Sequence, residues 1–137
     1  DELYEGWAVV AGIDDRVSAF DALASRVEGW LLAPWRTGEA GRHPRWDWYA
    51  GSWGEPVDVP AAPVVILEGV GLASRPLRAQ AVLTVWVEAV DDDVRLDRVL
   101  ARDGEALRAE MVRWLDDERR WHAHDRTREG ADVVLRT

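Results

Sequence analysis

The chain has 137 residues, 47% of them hydrophobic and 31% charged, a balance typical of a globular protein with its own core. Its net charge of −9 argues against a nucleic-acid-binding protein, because phosphate-backbone affinity comes from a basic surface. No window approaches the roughly 18 to 20 apolar residues of a membrane span, so no membrane partner is expected. The sequence lacks cysteine, which excludes disulfides and thiolate metal sites and is compatible with the expected cytoplasmic location.

Arginine supplies every basic side chain, since the sequence has no lysine. Lysine chemistry is therefore excluded, including the lysine of a phosphate-binding P-loop. The chain does not begin with methionine, and we expect it to be a segment of a longer protein. Residues 1–137 are expected to form a single α/β domain.

The first half of the chain predicts one helix and one aromatic loop. Asp14 or Asp15 can cap a helix that Pro34 ends. The segment 37–60 is rich in Gly, Pro and Trp, which predicts a loop with one short hairpin. The apolar residues of the helix recur at helical spacing; they are Val17, Phe20, Leu23, Val27, Trp30 and Leu31.

The second half predicts strands that alternate with helices. An unbroken apolar run at 63–68 predicts a strand buried on both faces, and similar runs stand at 82–87 and 132–135. Helices are predicted from Asp91 to about Ala101 and over about 105–125. This alternation is typical of a parallel sheet with helical crossovers.

Two groups of side chains carry candidate chemistry. Three arginines at positions i, i+3 and i+7 share one face of the predicted helix, where guanidinium forks suit phosphate oxygens. The alternative is a solvated face whose arginines pair with nearby aspartates. The aromatic patch of the loop could stack on a nucleobase or a sugar. The arginines are Arg95, Arg98 and Arg102, the aspartates Asp91, Asp92, Asp97 and Asp103, and the aromatic residues Trp46, Trp48, Tyr49 and Trp53.

Four short motifs, in order, resemble those of the uridine kinase-like branch of P-loop nucleoside kinases. That family shows Asp-x-Phe-Tyr, then Pro-x-Tyr-Asp-Phe, then a strand ending in Glu-Gly, then a helix with Arg-Leu-x-Arg and a final Arg-Asp. The matching segments here are Asp1-Glu2-Leu3-Tyr4, Pro44-Arg45-Trp46-Asp47-Trp48, Glu68-Gly69, and Arg95-Leu96-Asp97-Arg98 with Arg102-Asp103.

The resemblance implies a fold and a reaction. The fold would be a three-layer parallel sheet of the P-loop NTPase type, with its first strand and P-loop lying before this chain. The reaction would be ATP-dependent phosphoryl transfer to a small-molecule hydroxyl, with a nucleoside such as uridine or cytidine as acceptor, and with ATP and Mg²⁺ as cofactors. The segment alone is expected to be inactive, and the sequence does not predict its oligomeric state.

On the acceptor side, the resemblance makes Asp1 the base that takes the proton from the 5′-hydroxyl. Tyr4, Trp46, Asp47 and Trp48 would hold the nucleoside.

On the phosphate side, Glu68 would act near Mg²⁺ through water. Arg98 and Arg102 would neutralise the transferring phosphoryl group as lid residues, and Arg95 would join them in binding the cofactor.

The chain also departs from the family pattern. Gly51 and Trp53 stand where the family continues with His and Arg, so a different hydroxylated metabolite is an alternative acceptor. A second alternative is a non-catalytic nucleotide-binding or structural relative, in which the acids and arginines form surface ion pairs.

Overall fold

The computed structural model describes residues 2–4 and 18–137, with only the backbone at 18, 19 and 21. Its contacts divide the chain into two compact units, Asp1–Leu77 and Arg78–Thr137, each described below by itself. Asp1 and the predicted helix start at Asp14 or Asp15 lie outside the described residues.

A helix in three parts is the first described element of unit 1. Its buried side chains recur at helical spacing, which confirms the predicted apolar face. The parts are α1 (Ser18–Val27), a π-helical turn (Glu28–Leu32) and α2 (Ala33–Arg36), and the buried residues are Phe20, Leu23, Val27 and Leu31.

The helix does not end at Pro34, so the predicted end was wrong. Pro34 lies in the first turn of α2, directly after the π-helical turn, where proline is tolerated. The helix ends two residues later, at Arg36. There the Thr37 hydroxyl and the Glu39 amide both donate to the carbonyl oxygen of Pro34, at 2.8 and 3.0 Å.

An antiparallel hairpin, β1 (Gly41–Asp47) and β2 (Ser52–Val59), occupies the segment predicted as a loop with one short hairpin. At an irregularity between Pro44 and Trp46, β2 has one residue more than β1, because Pro44 pairs with Pro56 and Trp46 with Trp53. That shift changes which residues face inward. Both strands contain proline, which edge strands tolerate because a ladder hydrogen bond can be missing there.

The segment 63–68 is not a strand, so the prediction of a buried strand there was wrong. The predicted parallel sheet depended on that strand. Val64 and Ile66 are exposed, and only Leu67 packs against the core of unit 1. An apolar run forms a buried strand only where neighbouring strands satisfy its backbone N–H and C=O groups. The described part of the chain supplies no such neighbour.

The core of unit 1 centres on three buried aliphatic side chains, Leu23, Val27 and Leu77. Leu77 comes from α3 (Arg75–Arg78), a single turn at the end of the unit. Half-buried residues complete this core: Leu3, Ala24, Leu32, Leu67 and Leu72.

Two helices in unit 2 match their predictions closely. Asp91 caps α4 (Asp92–Asp103), because its side chain accepts a hydrogen bond from the Val94 amide at 2.8 Å. A 3₁₀ turn (Glu105–Leu107) leads into α5 (Arg108–Asp125). The buried residues of α5 are Met111, Trp114, Leu115, Glu118, Trp121 and Asp125. None of the helices described is both long and apolar enough to cross a membrane.

The sheet of unit 2 has two parallel strands, β3 (Val85–Glu88) and β4 (Val133–Arg136). They fall within or beside the predicted strands 82–87 and 132–135, so that parallel pairing is confirmed. The predicted three-layer parallel sheet was wrong. The described strands form a two-stranded antiparallel sheet and a separate two-stranded parallel sheet, because 63–68 joins neither.

The close approach of β1 to the helix gives a stability prediction. A Cβ atom at Gly41 would lie 2.8 Å from the Trp30 carbonyl oxygen and 3.1 Å from the Leu31 Cα. Because both are backbone atoms, no rotamer change relieves the clash, and Gly41→Ala should lower the free energy of unfolding by about 1–3 kcal/mol. The matched control is Gly29→Ala. Gly29 lies on the helix that carries Trp30 and Leu31, and a Cβ atom there would have open space around it. Gly29→Ala should raise that free energy by about 0.5–1 kcal/mol in urea denaturation. Equal stabilities of the two variants would contradict the close approach.

Candidate functional site

The carboxyl ends of β3 and β4 bring charged side chains to one edge of unit 2. Glu88 ends β3 and pairs in register with Arg136, and the Thr137 amide donates to the Glu88 carbonyl oxygen at 2.9 Å. Ligands of open α/β sheets bind just beyond such carboxyl ends. We name the group at this edge the strand-end cluster; it comprises Glu88, Arg98, Arg128, Arg136 and Thr137.

Glu88 is the anionic centre of the strand-end cluster. Arg128 donates to its carboxylate through Nε at 2.8 Å and Nη2 at 3.1 Å, and Arg136 donates through Nε at 2.8 Å. The indole Nε1 of Trp86 adds a third donor at 2.9 Å. These hydrogen bonds, first from Arg128 and then from Arg136 and Trp86, lower the pKa of Glu88 to about 2.

Arg98 reaches the same edge from α4. Its Nη1 lies 3.4 Å from the backbone oxygen of Thr137 and 3.3 Å from the Thr137 hydroxyl. Both contacts are long for hydrogen bonds, so they hold the guanidinium only weakly. The structure thus places one of the three predicted phosphate-binding arginines at the carboxyl ends of two parallel strands.

The other two predicted arginines of α4 contact other groups. Arg102 forms a two-pronged hydrogen bond with Asp103, with both distances 2.7 Å, and this contact lowers the pKa of Asp103. Arg95 pairs with the buried carboxylate of Glu118 on α5 at 2.5 Å. The pair of Arg102 and Asp103 is the alternative arrangement that the sequence left open, whereas the sequence did not indicate the pair of Arg95 with a buried glutamate of α5.

A chain of buried polar groups continues from Glu118. His122 Nε2 lies 3.6 Å from Glu118 Oε1, and His122 Nδ1 lies 3.0 Å from the Thr127 hydroxyl. That hydroxyl donates to Asp125 at 2.8 Å, so Nδ1 is the donor in its contact with Thr127. Asp125 also accepts from Arg78 at 2.6 Å. These contacts tie the end of α5 to the turn that follows it.

In unit 1, two of the predicted substrate-binding residues are buried. Tyr4 stacks on Phe20 with ring centroids 5.4 Å apart. Trp46 packs edge-on against Trp53 at 5.3 Å. The indole Nε1 of Trp46 is buried and has no hydrogen-bond partner among the described residues, so it is a donor that a ligand could use.

The other two predicted substrate-binding residues, Asp47 and Trp48, lie at the tip of the β1–β2 hairpin. Asp47 Oδ1 accepts hydrogen bonds from the amides of Tyr49 at 2.8 Å and Ala50 at 2.9 Å, which stabilises the turn. Trp48 is 43% exposed and Tyr49 is fully exposed. Binding of substrate by these residues stays a prediction.

Glu68, predicted to act near Mg²⁺, is exposed in an irregular segment of unit 1. The described residues contain no group of three or more His, Asp or Glu side chains that could hold a metal ion. A single carboxylate still fits Mg²⁺, because this ion keeps several waters and is bound by one or two carboxylates with substrate phosphates. Since Asp1 is not described and Glu68 belongs to unit 1, their convergence with Arg98 stays a prediction.

Sequence reasoning did not select the residues that surround Glu88. Glu88 and Arg136 each directly follow a predicted strand, at 82–87 and 132–135. Arg128 stands 40 positions from Glu88, and nothing in its sequence surroundings indicates the contact.

No protein-family model matches the chain, and no curated protein matches it with significant similarity.

The pair of Arg95 and Glu118 separates a structural role from the predicted cofactor role. Arg95→Met should lower the free energy of unfolding by about 1–3 kcal/mol, because it leaves a buried carboxylate without its cation. Adding Glu118→Gln should recover part of the loss, since a buried amide is less costly than an unpaired charge. Urea denaturation measures both. Unchanged stability of Arg95→Met with weakened ATP binding would support the cofactor role instead.

The lowered pKa of Glu88 predicts a pH dependence of stability. The unfolded chain protonates this carboxyl near its ordinary pKa of 4.5 and the folded chain near about 2, so the unfolded state binds more protons in between. The contribution of Glu88 is therefore complete above about pH 5 and is lost as the pH falls towards about 2. In urea denaturation, the difference in stability between the natural chain and Glu88→Gln should shrink as the pH falls through this range. A difference independent of pH would contradict the assignment.

Proposed function

We propose that this chain takes part in ATP-dependent phosphoryl transfer to the hydroxyl of a small molecule, with a nucleoside as the acceptor. The observation that carries the proposal is the position of Arg98 at the carboxyl ends of β3 and β4, where long contacts of 3.3 and 3.4 Å to Thr137 hold it. The proposal rests on this site and on the motifs of the sequence. It does not rest on the predicted three-layer sheet, which was wrong.

Phosphoryl transfer asks a protein mainly for positioning and for charge stabilisation. A guanidinium carries a permanent positive charge and a planar set of donors that matches phosphate oxygens. Arg98 meets this need because its contacts are weak enough for an anion to replace them. ATP supplies the phosphoryl group when bound, and Mg²⁺ would enter with its phosphates, with Glu68 as the predicted carboxylate near the ion.

The acceptor side of the proposal rests on the residues that the motifs of the sequence assign to it. The buried indole nitrogen of Trp46 is a donor without a protein partner in the described residues, which suits a hydrogen bond to a bound hydroxyl or carbonyl. Trp48 presents a partly exposed ring for stacking. Asp1 would accept the proton of the reacting hydroxyl.

A non-catalytic nucleotide-binding or structural protein is the second candidate. It is favoured by the pairing of Arg95 with Glu118 and of Arg102 with Asp103, which occupies two of the three predicted arginines. These contacts account for both side chains without any ligand.

The test is turnover of ATP and Mg²⁺ with a panel of nucleosides, using the longest natural form of the protein. Arg98→Ala should lower kcat by about 10²-fold, the usual effect of removing one group that stabilises transition-state charge. Asp1→Asn should lower turnover by about 10²-fold or more while ATP still binds, because Asp1 belongs to the acceptor side. The matched control is Arg120→Ala, an exposed arginine of α5 paired with Asp116 and Asp117. Its kcat should not change.

The outcomes separate the candidates. Turnover with another hydroxylated metabolite but with no nucleoside would refute the choice of acceptor and keep the reaction. Nucleotide binding without any transfer would favour the second candidate. Full activity of Asp1→Asn would refute the assigned base.

A further inference from the structure

The strand-end cluster carries more positive than negative charge. At the end of the parallel pair, Arg128 and Arg136 share the carboxylate of Glu88, and Arg98 contacts Thr137, the residue after Arg136. Glu129 adds a second, weaker negative contribution beside Arg128. Three permanent positive charges against two carboxylates leave a net attraction for anions.

The arginines of the cluster also retain unused donors. Arg136 contacts Glu88 through Nε alone, and Arg98 contacts Thr137 through Nη1 alone. A guanidinium has five N–H donors, so most of those on Arg136 and Arg98 face solvent or other ligands. The side chains of Arg128 and Arg136 are 44% and 68% exposed, which leaves them accessible to a dissolved anion.

Glu88 gives this group a defined geometry. Its two carboxylate oxygens fix Arg128 and Arg136 by hydrogen bonds of 2.8 to 3.1 Å, so their planes are held before any ligand arrives. The Thr137 amide donates to the backbone oxygen of Glu88, which places the contact of Arg98 beside the same residue. A simple surface ion pair needs one arginine per carboxylate, whereas Glu88 holds two.

We propose that Arg98, Arg128 and Arg136 bind the diphosphate portion of a phosphate-bearing small molecule, with Glu88 as a positioning residue. The inference rests on the proposed function and deepens it, because it adds Arg128 and Arg136 to Arg98 as residues that would hold the phosphates of the nucleotide. Two phosphates suit the site better than one, since they present oxygens to three separate guanidiniums. Binding of the anion can be tested without any turnover.

Trp86 provides a local signal for the test. Its indole N–H donates to Glu88 Oε2, so the indole resonance in a ¹⁵N-correlated NMR spectrum reports on this carboxylate. The resonance is assigned by its loss in Trp86→Phe. Pyrophosphate and ADP are titrated separately into the chain at constant ionic strength, with sodium sulfate as the comparison anion. We expect a saturable shift of this resonance with both phosphate compounds, and tighter binding of ADP if the natural ligand is a nucleotide.

Variants locate the binding. Arg136→Ala and Arg128→Ala should each raise the Kd of pyrophosphate by about tenfold, the loss typical of a charge-assisted hydrogen bond. Arg120→Ala, which removes an equal charge from the exposed face of α5, should leave that Kd unchanged. Glu88→Gln should raise the Kd, because an amide offers one acceptor oxygen where the carboxylate holds both arginines with two. Circular dichroism checks that each variant folds. If Arg128→Ala does not fold, the Kd of Arg136→Ala decides, because Arg136 is the more exposed of the two.

Several results would overturn the inference. These are the absence of a saturable shift, an equal response to sulfate, and an equal loss of affinity in Arg120→Ala. The proposed function fails separately. If the chain binds pyrophosphate through these arginines but the natural protein transfers no phosphoryl group, the anion site is kept and the proposed reaction is refuted. If substitution of Arg128 and Arg136 changes neither the turnover nor the ATP affinity of the protein, the anion site is refuted and the proposed reaction is kept.

Discussion

Backbone hydrogen bonds between β3 and β4 determine where the charged groups of the strand-end cluster lie. The Asp132 amide donates to the Thr84 oxygen before the paired segment, and the Thr137 amide donates to Glu88 after it, each at 2.9 Å. Side chains alternate between the two faces of a strand, so a slip of one residue would move Arg136 to the opposite face from its present one. The cluster therefore depends on the register of a pair only four residues long.

One helical face can serve two purposes. Arg95 and Arg98 stand one turn apart on α4, yet the first pairs with a buried carboxylate and the second is weakly held at the strand ends. Burying Glu118 requires a permanent partner, because an isolated charge in an apolar interior is unfavourable. In the described part of the chain, Arg98 contacts Thr137 and not a buried acid. The distinction between a supporting and an available arginine thus follows from the burial of the acid beside it, and the spacing of the arginines does not reveal it.

The sequence predicted local features better than long-range ones. Helix α4 and its cap at Asp91 follow from short-range periodicity and side-chain chemistry, as does the span of α5, whereas the burial of Glu118 and Asp125 does not. The run at 63–68 has the composition of a buried strand, but composition does not specify a neighbouring strand to pair with. The structure shows Trp46 buried against Trp53, a contact that its local sequence does not indicate, while its contact with a substrate stays a prediction. The contact of Arg128 with Glu88 depends on tertiary structure, which no local pattern encodes.

The two sheets differ in how far apart their partners stand along the chain, and this difference bears on the order of folding. In the β1–β2 hairpin a short turn separates the strands, and such a hairpin closes within about 1–10 μs. Glu88 and Arg136 are 48 positions apart, so pairing β3 with β4 requires closure of a long loop that contains α4 and α5. Contacts of large separation form slowly because the entropy of closure is lost before the contacts are gained. We therefore expect the helices of unit 2 to form before its sheet, and the strand-end cluster to be among the last parts of unit 2 to become ordered.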